Sequence, residues 1–202
     1  QEKIDACARA LTAYGVRAGD AVSLCVLAMP EAVYLLYAIN KIGAIANMLV
    51  MNATEAEIHE KLAVTESKVV ITVDLALEKI VQASKETSVK HIIGVSLAES
   101  MPCVIGTLYK WKSKIKQENC ILFSEFLKAG QEKKIDCQEI KADAPAVIAY
   151  TGGTTGKAKG VLLSNRAANT IAFQYKYADK VLDFQKGENF LDTIPPFLAY
   201  GL

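Results

Sequence analysis

The residues most able to do chemistry lie in one segment, residues 150–160, which reads YTGGTTGKAKG. Its glycines remove side chains that would keep a ligand from the backbone and permit positive φ, so successive N–H groups can converge on an anion. Threonine hydroxyls add hydrogen bonds, and lysines add positive charge. The segment therefore predicts a polyphosphate-binding loop, with the candidate residues Thr151, Gly152, Gly153, Thr154, Thr155, Gly156, Lys157 and Lys159.

This segment differs from the phosphate-binding motif GxxxxGK(S/T) of many nucleotide hydrolases. Gly152 precedes Gly156 by one residue fewer than that motif requires, and Ala158 stands where the motif has a magnesium-binding hydroxyl. A strand rather than a helix is predicted after the segment, which also disfavours an ATP or GTP hydrolase of the Rossmann type. An ordinary hairpin turn is the other alternative, but a turn does not require so many threonines and lysines.

The composition disfavours nucleic acid and membranes as partners. Lysine and arginine number 23 and aspartate and glutamate 22, so no net field would attract a polyanion or an anionic membrane. The lysine-rich stretch around Trp111 is interpreted as a solvated surface. No apolar run has the length of a membrane-spanning helix, and the first residues show no signal-peptide pattern. A cytoplasmic location is therefore predicted.

The cysteines and histidines are not assigned catalytic or metal-binding roles. The five cysteines are odd in number and form no CxxC pair, so they indicate neither a metal site nor a disulfide framework. They favour a reducing compartment. Cys25, in the apolar run AVSLCVLAM, is expected to be a small buried hydrophobic residue. His59 and His91 are expected at the surface.

Short apolar runs alternate with helical patterns along the chain. Strands are predicted at 21–28, 45–50, 68–74, 90–96, 144–150 and 160–164. Alternating strands and helices at this spacing predict βαβ units. The expected fold class is therefore α/β, with a mainly parallel, twisted sheet and helices on both faces.

Local signals predict where several helices begin and end. Pro30 opens one helix and Gly43 ends it, with Val33, Leu36 and Tyr37 near one face.

Side-chain caps are predicted at four later helices. Thr54 and Glu57 form a capping box, and Asp74, Ser124 and Asn165 are placed to cap the helices that follow them.

Residues 143–165, DAPAVIAYTGGTTGKAKGVLLSN, resemble the signature loop of the adenylate-forming superfamily, whose usual form is YTSGTTGxPKG. This superfamily comprises acyl- and aryl-CoA synthetases, adenylation domains of peptide synthetases, and luciferases. Residues 19–74 resemble its N-terminal region, and residues 194–202, IPPFLAYGL, resemble a later segment with proline and aromatic residues.

The resemblance implies a two-step reaction of an acyl-CoA synthetase, an AMP-forming acid-thiol ligase. A carboxylate attacks the α-phosphate of ATP, and a thiol, that of CoA, then takes the acyl group. The loop would hold the β- and γ-phosphates, with Mg²⁺ bridging their oxygens. Lys159 matches the lysine of the PKG step, and Lys157 fills the variable position. A fatty or other aliphatic acid is the expected substrate; an amino acid passed to a carrier protein is the alternative.

Four positions depart from the superfamily pattern. Gly152 replaces serine and Ala158 replaces proline, so the loop loses one hydroxyl and some rigidity. Asn165 stands where histidine is common. Leu198 stands where many members have a histidine of the acyl pocket, which puts a histidine-gated pocket in doubt.

The chain is expected to be a fragment of a longer enzyme. Residues 1–144 are predicted to form an N-terminal α/β subdomain, and residues 145–202 the start of the next one, which carries the loop. The superfamily's later segments, with a catalytic lysine and a magnesium-binding glutamate, have no match here, so turnover by the chain alone is not expected. The alternative is a degenerate homologue that binds a nucleotide or a partner without catalysis.

Overall fold

The computed structural model describes residues 1–101, 120–135, 140–151, 158–177 and 187. Their secondary structure is dominated by one sheet. Its strands are β1 (Ala21–Cys25), β2 (Ile45–Met48), β3 (Val69–Val73), β4 (His91–Val95), β5 (Ile121–Leu122), β6 (Pro145–Thr151) and β7 (Lys159–Ser164). The α-helices in these ranges are α1 (Glu2–Ala13), α2 (Pro30–Lys41), α3 (Glu55–Thr65), α4 (Leu77–Ala83), α5 (Phe123–Ala129) and α6 (Asn165–Tyr177). Short 3-10 segments cover Asp74–Ala76 and Leu97–Ser100.

The seven strands lie in the order β5-β4-β3-β1-β2-β6-β7. Neighbouring strands are parallel from β5 to β6, and β7 is antiparallel to β6. Every residue of β3 is buried, as expected for a strand covered on both faces. The predicted α/β class with a mainly parallel sheet is confirmed, and the strand predicted at 160–164 is β7.

The order of the strands places helices on both faces of the sheet. The chain moves through α2 from β1 to β2, and then through α3 back past β1 to β3. Because crossovers between parallel strands are right-handed, these opposite directions place α2 and α3 on opposite faces. α1 packs against α2 and α5, and α3 packs against α4. None of the helices in the described ranges is long and apolar enough to cross a membrane.

The boundary signals of α2 and α3 are confirmed. Pro30 lies in the first turn of α2, and Gly43 follows that helix with a φ of 72° that favours glycine. At α3, Thr54 Oγ1 accepts a hydrogen bond from the Glu57 amide at 3.3 Å, and the Glu57 carboxylate accepts one from the Thr54 amide at 2.7 Å. The capping box therefore fixes the start of α3.

The face assigned to α2 is wrong. Val33 and Tyr37 are exposed, and the buried face is the opposite one, with Ala32, Leu35 and Ala38. α2 packs against α1 and β2, so tertiary packing, more than the size of the apolar residues, decides which face is buried.

Two of the predicted caps are also wrong. Asp74 accepts a hydrogen bond from the Leu75 amide within a 3-10 turn, and α4 begins afterwards without a side-chain cap. Ser124 lies inside α5, which starts at Phe123, whose buried ring stacks on that of Phe126. Both helices therefore begin at residues other than those predicted, α4 at Leu77 and α5 at Phe123.

Both histidines are half-buried, so their predicted surface positions are wrong. His59 Nδ1 lies 3.0 Å from the carbonyl oxygen of Ala83 and thereby links α3 to the end of α4. The ring of His91 meets that of Tyr14 edge-on, with 5.0 Å between centroids. Cys25 is buried as expected, and this burial raises the pKa of its thiol to about 11.

Candidate functional site

The ends of the predicted phosphate loop are held together by the antiparallel pair β6 and β7. Thr151 and Lys159 are direct partners across this pair, and both are exposed. Residues 152–157, which include six of the eight predicted phosphate-binding residues, lie outside the described residues, as does Leu198. The structure therefore brings together the first and last candidates, Thr151 and Lys159.

The position of β6 places this loop at the carboxyl edge of the parallel sheet. Ala46 and Asn47 of β2 pair with Val147 and Ile148 of β6 in the parallel sense, so Thr151 lies where the parallel strands end. In open α/β sheets, ligands bind outside the carboxyl ends of the strands. Thr151 therefore lies at the edge of the sheet where the topology provides room for a ligand.

Tyr150, the residue before Thr151, is fixed on several sides. Its hydroxyl donates a hydrogen bond to Asn47 Oδ1 at 2.9 Å. The Nζ of Lys61, on α3, lies 4.3 Å from the centre of the ring, a distance typical of a cation–π contact. A Cβ added at Gly160 would lie 3.2 Å from the ring, so the glycine leaves the room that the tyrosine occupies. Burial raises the pKa of the Tyr150 hydroxyl to about 12, so it remains a donor at neutral pH.

A buried polar network continues from Asn47 into the sheet and α3. Asn47 Nδ2 donates to Ser23 Oγ at 2.7 Å and to Thr65 Oγ1 at 3.2 Å. Ser23 donates to Ser67 Oγ at 2.8 Å, and the Thr65 and Ser67 hydroxyls lie 2.9 Å apart. Ser23, Asn47 and Ser67 have no exposed surface. Buried polar groups are tolerated when they are hydrogen-bonded, and every one of these side chains has a partner.

These network residues are functional candidates that the sequence did not identify. The available signal is a polar residue inside each of two apolar strands, Ser23 in AVSLC and Asn47 in IANM. The register places the two opposite each other in β1 and β2. That pairing requires the three-dimensional structure, because a strand pattern alone does not specify which strands are neighbours.

A cavity of about 680 Å³ lies between α3 and the β6–β7 pair. Glu57, Glu60 and Lys61 contribute its charged side chains, Tyr150 lines it, and Ala158 brings it to the end of the loop. Burial lowers the pKa of the Lys61 ammonium, although Glu57 and Glu60 act in the opposite direction. The same cavity is thus lined by the Lys61 ammonium, two carboxylates, the Tyr150 ring and, at the end of the loop, Ala158.

The start of α6 is tied to the start of β6. Arg166 makes a two-pronged ion pair with Asp143, at 2.6 and 3.1 Å. The predicted cap by Asn165 is wrong: its amide donates to the Ala144 carbonyl at 3.3 Å, and Ser164 Oγ accepts from the Ala167 amide instead. The ion pair therefore joins the chain just before β6 to the chain just after β7. Thr151 and Lys159, which flank the predicted loop, lie at the other end of this pair of strands.

The two described side chains at the ends of the predicted loop, Thr151 and Lys159, are of types that can bind anions. In the part of the chain that the structure describes, no three His, Cys, Asp or Glu side chains are close enough to hold a metal ion. Lys159 carries positive charge at the loop end.

Comparison with known proteins gives a consistent result. A model of the family described as AMP-binding enzyme matches residues 1–202. The 4-coumarate–CoA ligase CCL1 of Humulus lupulus is 29% identical over 196 residues, which is 96% of this chain and 33% of that protein. A long-chain-fatty-acid–CoA ligase of Bacillus subtilis is 29% identical over 197 residues, covering 93% of this chain and 35% of that protein.

Solved structures agree in fold. The crystal structure of a long-chain-fatty-acid–CoA ligase from Archaeoglobus fulgidus has a TM-score of 0.74 at 21% sequence identity, covering 99% of this chain and 35% of that one. The chain thus spans about a third of the length of the proteins it matches.

Proposed function

Because this chain belongs to the family of AMP-binding enzymes, we propose that its β6–β7 loop holds the β- and γ-phosphates of ATP during activation of a carboxylic acid. A carboxylate oxygen of the acid attacks the α-phosphorus, the bond to the β-phosphate oxygen breaks, and pyrophosphate leaves. The sulfur of CoA then attacks the acyl carbon of the adenylate, its proton is lost, and AMP leaves. The activity is that of an AMP-forming acid-thiol ligase.

The observation that carries this proposal is the pairing of Thr151 with Lys159 at the carboxyl edge of the sheet. Residues 152–158 connect these two partners in the chain; their glycines and threonines would supply hydrogen-bond donors, and Lys157 together with Lys159 would supply charge. Phosphate transfer depends on positioning and charge neutralisation, so this chain needs no proton-transfer residue in the loop. Magnesium would enter with the nucleotide and would neutralise phosphate charge; no carboxylate of the described residues is assigned to it.

The acid is proposed to be aliphatic, a fatty acid or a shorter one, with CoA as the acceptor. One relative is named for a long-chain fatty acid and another for 4-coumarate, so the acid differs within the group while the ligase chemistry is shared. The chain covers about a third of these relatives, and the activity is proposed for the whole enzyme. Residues 1–202 by themselves are proposed to bind the polyphosphate without turnover.

The division into residues 1–144 and 145–202 and the cytoplasmic location remain predictions within this proposal. In the described residues, β6 and β7 extend the same sheet as β1–β5, so a boundary at 144 would separate sequence units that share one sheet.

Titration calorimetry of the 202-residue chain with magnesium-ATP and with pyrophosphate tests the site. Lys159→Ala should weaken binding of both by about tenfold, since a hydrogen bond to a charged group contributes roughly 1.5–3 kcal/mol and 1.4 kcal/mol is a factor of ten. Lys90→Ala is the matched control: it removes the same charge from an exposed residue next to the amino end of β4 and should leave both affinities unchanged.

Acid-dependent exchange of pyrophosphate into ATP, measured on the whole enzyme with acetate, a long-chain fatty acid and 4-coumarate, tests the reaction. Exchange with an aliphatic acid supports the proposal. Magnesium-ATP binding without exchange for any carboxylic acid would favour the non-catalytic alternative, for which the departures at Gly152 and Ala158 are the sequence observation. No binding of pyrophosphate or ATP would overturn the assignment of the loop.

A further inference from the structure

We propose that Asn47 and Tyr150 are positioning residues of the phosphate loop: their hydrogen bond sets the direction in which the chain leaves β6, and thereby the place of Thr151. This inference rests on the proposed function of the loop. It concerns two residues that are not among the predicted phosphate-binding residues, and one of them, Asn47, is separated from Tyr150 by 103 positions in the chain.

First, the backbone pairing between β2 and β6 is short and ends before Tyr150. The parallel pairing of β2 with β6 consists of Ala46 with Val147 and Asn47 with Ile148. Tyr150 lies two residues beyond the last pair, and Thr151 three. The Tyr150 hydroxyl therefore ties β6 to β2 where the backbone ladder between them has already ended.

The second step is the fixed orientation of Asn47. Its amide has no exposed surface and uses both ends: Oδ1 accepts from Tyr150, while Nδ2 donates to Ser23 and Thr65. A rotation of the amide would present a donor to the tyrosine and break the bonds to β1 and α3. Buried networks with every group satisfied are rigid, so Asn47 transmits the position of β1 and α3 to Tyr150.

The third step is the restraint on the ring itself. Lys61 lies over it at 4.3 Å, and Gly160 of β7 leaves the space that it fills. With the hydroxyl also bound, the ring has little freedom, and the backbone of the residue before Thr151 is held with it. Displacements of about 1 Å at a reacting centre can cost a hundredfold in rate, so such restraint matters for a loop that aligns phosphates.

The test is Tyr150→Phe in the 202-residue chain, which removes the hydroxyl while keeping the ring and its contact with Lys61. The affinity for pyrophosphate, measured by calorimetry, should fall about tenfold. Ser96→Ala is the control. It removes a buried hydroxyl that accepts a hydrogen bond from the Ala98 amide at 3.2 Å after β4, and it touches neither β6 nor the network around Asn47, so it should change the affinity by less than twofold.

Urea unfolding of both variants separates positioning from stability. Both should be destabilised, since each leaves a buried group without its partner, but only Tyr150→Phe should lose pyrophosphate affinity. Equal losses of affinity in the two variants, or no loss in Tyr150→Phe, would overturn the inference.

The double variant Asn47→Leu/Tyr150→Phe measures the coupling directly. If the hydrogen bond is the link, adding Asn47→Leu to Tyr150→Phe should cost no further pyrophosphate affinity; a further tenfold loss would count against it. Failure of this inference is distinguishable from failure of the proposed function. If only this inference fails, the parent chain binds pyrophosphate and Lys159→Ala weakens that binding, whereas Tyr150→Phe does not. If the proposed function fails, the parent chain does not bind pyrophosphate, and both proposals fall.

Discussion

β3 and β7 belong to the same sheet but are built in different ways. β3 has neighbours on both sides, β1 and β4, and all five of its residues are buried. Among the described residues β7 pairs only with β6, and four of its six residues are exposed, including Val161 and Leu162 on successive positions. The parallel strands therefore supply the stability of the fold, while β7 contributes its backbone to hold the loop end.

The largest expected effect is a matched pair of leucine substitutions. Leu24 of β1 is fully buried, whereas Leu162 of β7 is 56% exposed. Leu24→Ala should lower the free energy of unfolding by about 2–5 kcal/mol through lost burial and a cavity. Leu162→Ala should change it by less than about 0.5 kcal/mol. Urea unfolding measures both, and similar losses in the two variants would refute the division between the two regions.

A smaller effect is expected where α5 ends against α1. A Cβ added at Gly130 would overlap the Ala10 amide nitrogen and lie 2.7 Å from the Ala10 Cα. Because backbone atoms, unlike a flexible side chain, cannot change rotamer to relieve the clash, Gly130→Ala should lower the free energy of unfolding by about 1–3 kcal/mol. The neighbouring exposed Gln131, changed to alanine, is the control and should have little effect. A Gly130→Ala chain as stable as the parent would mean that the two helices are not in such close contact.

The smallest expected effect is a decrease in the free energy of unfolding at alkaline pH, caused by a buried thiol in β1. Burial raises the pKa of Cys25 from 9.0 to about 11, so the folded state keeps a proton that the unfolded state loses. Stability should therefore fall as the pH rises from about 9 towards 11. Cys25→Ala should make that fall shallower in urea unfolding measured at each pH.

Cys120→Ala is the control for this titration. Cys120 is half-buried next to β5, and burial also raises the pKa of its thiol. Because this thiol loses less of its contact with water, its removal should change the slope less than removal of Cys25. If Cys25→Ala left the alkaline slope unchanged, the buried thiol would not be the group responsible.

Most of the sheet could be predicted, because its signals are local. The apolar run around β3 and the capping box of α3 each act within a few residues, and the structure contains both. The phosphate loop is also inferred from one segment, since its glycines, threonines and lysines point to anion binding without knowledge of the rest; this assignment stays a prediction, because residues 152–157 lie outside the described residues.

The features that were missed depend on contacts between distant residues. Asn47, Ser23 and Tyr150 look unremarkable in their own strands, and they form a network because the strand order brings them together. The face of α2 was wrong for the same reason, since the neighbouring helix α1 decides it. The positions of His59 and His91 depend on Ala83 and Tyr14, which approach only in the folded chain.

The long separation of Asn47 and Tyr150 has a consequence for the order of folding. Joining residues 103 positions apart costs more chain entropy than forming the nearer pairings of β1–β4, because the cost of closing a loop grows with its length. During synthesis, β1–β4 leave the ribosome long before β6 and can already have formed a sheet. We therefore expect β6 and β7, which flank the predicted phosphate loop, to join the sheet late, at the edge formed by β2.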